Sequence, residues 1–220
     1  MNARSVNVHS IKHNRRGREL RRKEGDKENA ILDAATELFA EEGFHSAAVA
    51  SIAKKAGVSA GCVYLYFRNK NDVLARVLDG FWDDLDNLAT AAFAGAGTIL
   101  QRAEALIRAV LSYCAEHPAL SGVYLREMPE YWRVKGGERT PWHRLMDSID
   151  GFFHEGLKTC DFSEKLSPQQ FRLFVLGCFH SMVQHGYNRR FPQRERETWL
   201  GCSVQLILHG IGVFVPKEEA

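Results

Sequence analysis

From Ile31 to about Phe214 the apolar residues recur at three- and four-residue spacing, and no stretch alternates apolar with polar. That periodicity admits helices and not sheets, so the expected fold class is all-α, without internal repeats. Ile31, Leu32, Ala35, Leu38 and Phe39 trace a first helix ending at Glu41-Glu42-Gly43, where Gly43 serves as C-cap. Two short helices follow, Val49 to Ala56, closed by Gly57, and Ser59 to about Tyr66. Asn69 caps the next, with Asp72 three residues on and a stripe of Val73, Leu74, Val77, Leu78, Phe81, Trp82, Leu85 and Leu88 behind it. Ala94-Gly95-Ala96-Gly97 breaks the pattern. Helices are then expected over about Thr98 to Glu116, Ala119 to Tyr131, and onward from Thr140-Pro141 after a loop at residues 135–138. Ser167-Pro168-Gln169-Gln170 combines an N-cap, a first-turn proline and a capping-box glutamine, opening a helix to about Arg189. A last helix is expected from Pro192 to about Phe214.

At 220 residues and 24.9 kDa the chain allows one large domain or a small head joined to a larger body. Its apolar runs, Leu173 to Phe179 and Gly210 to Val215, fall short of a membrane span, and the basic N-terminus is not followed by the apolar core of a signal peptide. Five cysteines stand singly with no CxxC pair, as expected of reduced thiols. A cytoplasmic protein with no membrane association is the expectation. The net charge of +2 hides a gradient. Residues 1–23 hold eight Lys/Arg against the single acid Glu19, a charge of +7 that leaves the rest of the chain near −5. Residues 1–25 read as a basic arm, which either contacts a polyanion or keeps a tail soluble.

Within residues 49–67, VASIAKKAGVSAGCVYLYF, two short helices meet at a tight turn. Ala53 is small where the helices cross, and Gly57 supplies the positive φ of the turn. Ser59 can cap the second helix, and Val58 and Val63 face the first. Small residue, glycine and buried aliphatic at this spacing form the helix-turn-helix pattern. Its surroundings extend the likeness: Gly43-Phe44, Ile52-Ala53, Ala56-Gly57-Val58-Ser59, Gly61, Tyr64, Tyr66-Phe67 and Lys70. Over residues 31–78 the chain resembles the N-terminal domain of the tetracycline-repressor (TetR) family.

The resemblance implies that Ser59 to Tyr66 is a recognition helix set in the major groove of double-stranded DNA, with Ser59, Ala60, Gly61 and Cys62 at its leading end. Tyr64, Tyr66 and Lys70 match positions that reach phosphate, and Phe67 is expected in the core. Ser46 and Val49 stand at the start of the preceding helix, Ser46 as a substitute cap because Ala47 and Ala48 occupy the positions where the family often has a hydroxyl residue. Alanine and cysteine replace the lysine and threonine often found in the recognition helix. Specificity is therefore expected to lean on apolar contacts, DNA shape and the arm, Arg21 and Arg22 included.

The division implied is an arm (1–25), a helix-turn-helix domain (26–70) and a helical ligand-binding and dimerisation domain (71–216). Ten aromatics fall within residues 79–160, more than a small bundle needs. Phe81, Trp82, Tyr113, Tyr124, Met128, Trp132, Trp142, Met146, Phe153 and Phe174 are candidates to line a cavity for a hydrophobic effector. The run YLREMPEYW (124–132) bears a faint similarity to members that sense fatty acyl-CoA, with Arg126, Arg133 or His143 available to an anionic head group. The last two helices are apolar on more than one face. Phe171, Val175, Met182, Trp199, Leu206 and Ile207 are expected in a homodimer interface, the alternative being a central pair in a monomeric core. An enzyme is the contrasting reading, because nine histidines include His143, His154, His180 and His185. Cys178-x-His180-x4-His185 has no zinc spacing, however, and no phosphate loop or nucleophile elbow is legible. No catalytic residue, metal or cofactor is expected. The function expected is a homodimeric transcriptional regulator, a repressor, bound to a palindromic operator and released by a hydrophobic, acyl-CoA-like effector.

Overall fold

The structure, a computed structural model, describes residues 27–159, 167–188, 198, 201 and 202. Among these the chain is helical, with no strand: α1 Lys27–Glu42, α2 Val49–Ala56, α3 Ala60–Tyr66, α4 Lys70–Phe93, α5 Ile99–Glu116, α6 Pro118–Lys135, α7 Pro141–Lys158 and α8 Pro168–Asn188. The basic arm with Arg21 and Arg22, and Trp199, Leu206 and Ile207 of the last expected helix, lie outside the described residues.

The helix starts follow local chemistry. Asn69 Oδ1 accepts the Asp72 N–H at 3.0 Å while Asp72 Oδ2 accepts the Arg68 N–H at 3.0 Å. Thr98 and Gln101 close a reciprocal capping box, as do Ser167 and Gln170, whose Oγ accepts the Gln170 N–H at 3.3 Å and whose own N–H donates to Gln170 Oε1 at 2.9 Å. α6 runs past the expected end at Tyr131. Pro129 sits inside it without ending it, and Gly136, at φ 56, closes it by donating to the Trp132 carbonyl.

The chain forms two compact units. The first comprises the described residues up to Asp83 together with His117–Thr140. Its core is Ile31, Leu38 and Phe39 of α1, Ile52 and Ala53 of α2, Val63 of α3, and Val73, Leu74, Leu78 and Phe81 of α4. α6 joins this unit, where the sequence places it with the body. It packs along α1, and Arg126 donates to the Phe39 and Ala40 carbonyls at 2.7 and 2.5 Å. The reason is electrostatic as well as steric: a guanidinium at a helix C-terminus meets its last carbonyls and the negative end of its dipole. Tyr131 is fully buried in the same unit and donates to Asp79 Oδ1 at 2.8 Å, while Lys135 pairs with Asp79 Oδ2 at 2.6 Å.

The second unit comprises Asp84–Glu116 and the described residues from Pro141 on. Phe93 stacks on Phe152 at 4.2 Å, and Arg102 brackets that pair by donating to the Phe93 carbonyl at 2.8 Å and binding Glu155 with both arms of its guanidinium. α8 packs on α5 and α7 through Phe171, Phe179, Met182 and Val183, with the Phe171 ring 4.6 Å from that of Phe153. Phe171 and Met182, expected at a dimer interface, are thus core residues of their own unit. Val175 is half-buried, and the apolar side chains that α8 leaves outward are Leu173 and Phe174.

Candidate functional site

Gly57 takes φ 70 between α2 and α3, and its N–H and that of Val58 return to the carbonyls of Lys54 and Ala53. Ser59 Oγ accepts the Cys62 N–H at 3.2 Å and opens α3 as its cap. Val63 and Phe67 anchor α3 inward. Everything else on this short helix faces out: Ala60, Gly61, Tyr64, Leu65 and Tyr66 are exposed and Cys62 is half-buried. Leu65 is 83% exposed, Tyr64 57% and Tyr66 44%. Leu65 was not legible as a site residue, because a leucine in a helix reads as core and only the register of α3 against α1 and α2 turns it outward.

α2 begins at Val49 behind Ala48, with no side-chain cap. Ser46 is exposed in the preceding turn and does not cap the helix, a correction that follows from its lying two residues too early to reach the free N–H groups. Lys54 and Lys55 end α2; Lys55 is held by Glu37 at 2.9 Å and Glu41 at 3.5 Å, and the hydrogen bond to Glu37 raises its pKa.

Lys70 points inward. Its Nζ donates to the carbonyls of Phe44, His45 and Ala47 at 2.7, 3.0 and 2.9 Å and lies 4.7 Å from the Phe44 ring centroid. An ammonium has three N–H donors, and all three are engaged. In this conformation Lys70 braces the α1–α2 loop. The same loop is held from α6, where Glu127 Oε1 accepts the Phe44 N–H at 3.1 Å.

The ten candidate cavity residues divide between the units. In the first, Phe81, Trp82 and Tyr124 form a buried trio, with Phe81 stacked on Tyr124 at 5.0 Å and Trp82 edge-on to Tyr124 at 5.6 Å. Trp82 Nε1 is buried without a hydrogen-bond partner. Met128 of the same unit is half-buried and Trp132 is exposed. In the second, Tyr113 donates to Asp84 Oδ2 at 2.6 Å, Met146 and Phe153 are buried, Trp142 is half-buried and Phe174 is 38% exposed. Of the side chains considered for an anionic head group, Arg126 is committed to α1 and Arg133 pairs with Glu130, which lowers the Glu130 pKa. His154 and His185 bond carbonyls of their own helices, Asp150 O at 2.7 Å and Ser181 O at 2.8 Å. Among the described residues no cluster of His, Cys, Asp and Glu is arranged to hold a metal, and no helix is long and apolar enough to cross a membrane.

Residues 31–77 match the family described as bacterial regulatory proteins, tetR family. The fatty acid metabolism regulator protein of Bacillus subtilis (strain 168) is 29% identical over 163 residues, spanning 70% of this chain and 79% of its own. The fatty acid degradation regulator FadR from Bacillus halodurans has a similar structure, with a TM-score of 0.74 at 25% identity over 84% of this chain and 95% of that one. FadR from Bacillus subtilis, solved in complex with stearoyl-CoA, shares the fold at a TM-score of 0.70 and 23% identity, over 83% of this chain and 98% of that one.

Proposed function

We propose that this chain, whose residues 31–77 match the tetR family of bacterial regulatory proteins, is a repressor of that family, bound to a palindromic operator as a homodimer and released by a hydrophobic, acyl-CoA-like effector. The observation that carries the reading is the outward face of α3, capped by Ser59 and held from behind by Val63 and Phe67. A short helix that shows its side chains to solvent beside a tight glycine turn is the geometry that enters a major groove. In this reading Ala60, Gly61 and Cys62 approach base edges, and the Tyr64 and Tyr66 hydroxyls donate to phosphate. The uncapped start of α2 at Val49 offers backbone N–H groups to another phosphate. The arm, residues 1–25 with Arg21 and Arg22, adds backbone contacts to the helix-turn-helix domain over 26–70, and residues 71–216 hold the effector and the dimer contacts.

For the effector, support comes from the 29% identity to a fatty acid metabolism regulator and from the unpartnered Trp82 N–H in its aromatic surroundings. A buried donor without an acceptor costs about 1–3 kcal/mol, which a ligand carbonyl would recover. Release then works by population shift, the effector favouring the conformer in which the two heads do not fit the operator.

The test is selection of bound duplexes from random double-stranded DNA with the apo protein at two salt concentrations, followed by titration of the selected duplex with a long-chain acyl-CoA. A palindrome released by micromolar acyl-CoA is the expected result. Salt-sensitive binding without a motif would remove the operator from the reading. A palindrome indifferent to acyl-CoA would remove the effector class alone.

A further inference from the structure

The outer surface of α3 is chemically unusual for a DNA-reading helix. Taking about 100° per residue, Gly61 and Leu65 both lie within about 20° of the direction opposite the buried Val63, with Tyr64 and Cys62 on the flanks. These two form the crest of the helix. At Gly61 a Cβ would have only Ser59 Oγ near it, at 4.0 Å, so open space surrounds that end of the crest. Leu65, 83% exposed, is the most exposed of the large apolar side chains on this helix.

Packing does not account for a leucine in that position, since its burial within the chain is close to nil and its neighbours Tyr64 and Tyr66 are exposed as well. Ala60, Gly61 and Leu65 offer no hydrogen-bonding group, and the Cys62 thiol is a weak one, so the crest cannot make the bidentate contacts that distinguish guanine or adenine. Exposed cations bound this helix in sequence on both sides: Lys54 at the end of α2 and Arg68 just beyond α3. A positively flanked surface with an apolar centre matches a polyanion that shows methyl groups from its groove. The C5-methyl of thymine is the apolar group on the major-groove edge of B-DNA.

We infer that Leu65 is a specificity-determining residue that reads a thymine by its C5-methyl, so that each operator half-site carries a thymine recognised without hydrogen bonds. The inference rests on the operator-binding function proposed above and names what that operator must contain.

Deoxyuridine differs from thymidine in the duplex by that methyl alone, which makes the inference directly measurable. The full-length protein is used to select its operator, and each thymine of the selected duplex is then replaced in turn by uracil. Affinities are measured by fluorescence anisotropy for the wild type, Leu65→Ala and Leu65→Met. Leu65 has almost no intramolecular packing to lose, so both variants retain the fold. For the wild type, one thymine per half-site should show a loss of roughly four-fold on demethylation, and about fifteen-fold when both half-sites are changed, from ~0.8 kcal/mol per buried methyl. Leu65→Met should keep that penalty, and Leu65→Ala should abolish it at that thymine while leaving any other thymine as sensitive as before. An operator whose every uracil substitution costs less than two-fold overturns the inference, as does a Leu65→Ala variant that still discriminates thymine from uracil at every position. Failure to enrich any motif would instead defeat the operator-binding reading, and the inference with it.

Discussion

A lysine ammonium against three backbone carbonyls is a short list of contacts with two separable consequences. Lys70 satisfies acceptors that the turn between α1 and α2 would otherwise leave facing α4. Charged hydrogen bonds of this kind contribute about 1.5–3 kcal/mol. Lys70→Ala should therefore lower the free energy of unfolding in urea by about 1–3 kcal/mol and weaken operator binding through a loosened loop. The slope of log K against log salt should not change, because no phosphate is neutralised. A slope reduced by about 0.9 would return Lys70 to a phosphate. Tyr131 gives a second residue-scale test. Burial, and then the Asp79 carboxylate that accepts its hydroxyl, holds its pKa above the ordinary 10.0. A folded pKa above the unfolded one stabilises fully below pH 10 and is lost as pH rises through the folded value. Tyr131→Phe should cost about 1–2 kcal/mol at neutral pH, and its unfolding free energy should fall less between pH 10 and 11 than that of the wild type. Neither role could be read from the sequence. Lys70 was legible as a motif position, but its partners sit more than twenty residues away, and Leu65 was invisible because exposure depends on register, which periodicity alone does not fix.

At the scale of the element, the helix ends divide by the range of their causes. Asn69, Thr98 and Ser167 cap within three residues, and each was readable because the interaction is as local as the sequence window. α6 is the opposite case. Arg126 and Glu127, adjacent in sequence, hold the end of α1 and the loop after it, Glu127 lying 83 positions along the chain from Phe44. A buried carboxylate accepting one backbone N–H leaves that N–H unpaired when it is removed, at a cost of about 1–3 kcal/mol. Glu127→Ala should speed hydrogen exchange at Phe44 and nearby amides while leaving the capped start of α8 at its wild-type rate. Equal acceleration at both sites would mean that the contact serves global stability and not the loop. The same element carries Pro129 in its interior and continues four residues beyond the expected end at Tyr131, to Lys135.

For the whole molecule, in the homodimer proposed above the second copy attaches on the face of α8 that remains outward. Phe171 and Met182 are committed to their own unit, whereas Leu173 is 65% exposed with Phe174 beside it. Leu173→Glu should shift the protein from dimer to monomer in light scattering and lower operator affinity at least ten-fold; a dimeric variant would place the interface elsewhere. The sequence identified α8 as apolar on more than one face, and packing against α5 and α7 is what buries Phe171 and Met182 while leaving Leu173 and Phe174 exposed. The division of the chain into units was less legible still, since the DNA-reading end is assembled from two separated stretches, up to Asp83 and His117–Thr140. That interruption sets an order of events during synthesis. The ribosome releases α1, α2 and α3 early, yet Arg126 and Glu127, which hold the Ala40 carbonyl and the Phe44 N–H, follow only with α6. The helix-turn-helix segment is made first and completed late, so a nascent chain shorter than about residue 127 has the motif without the brace.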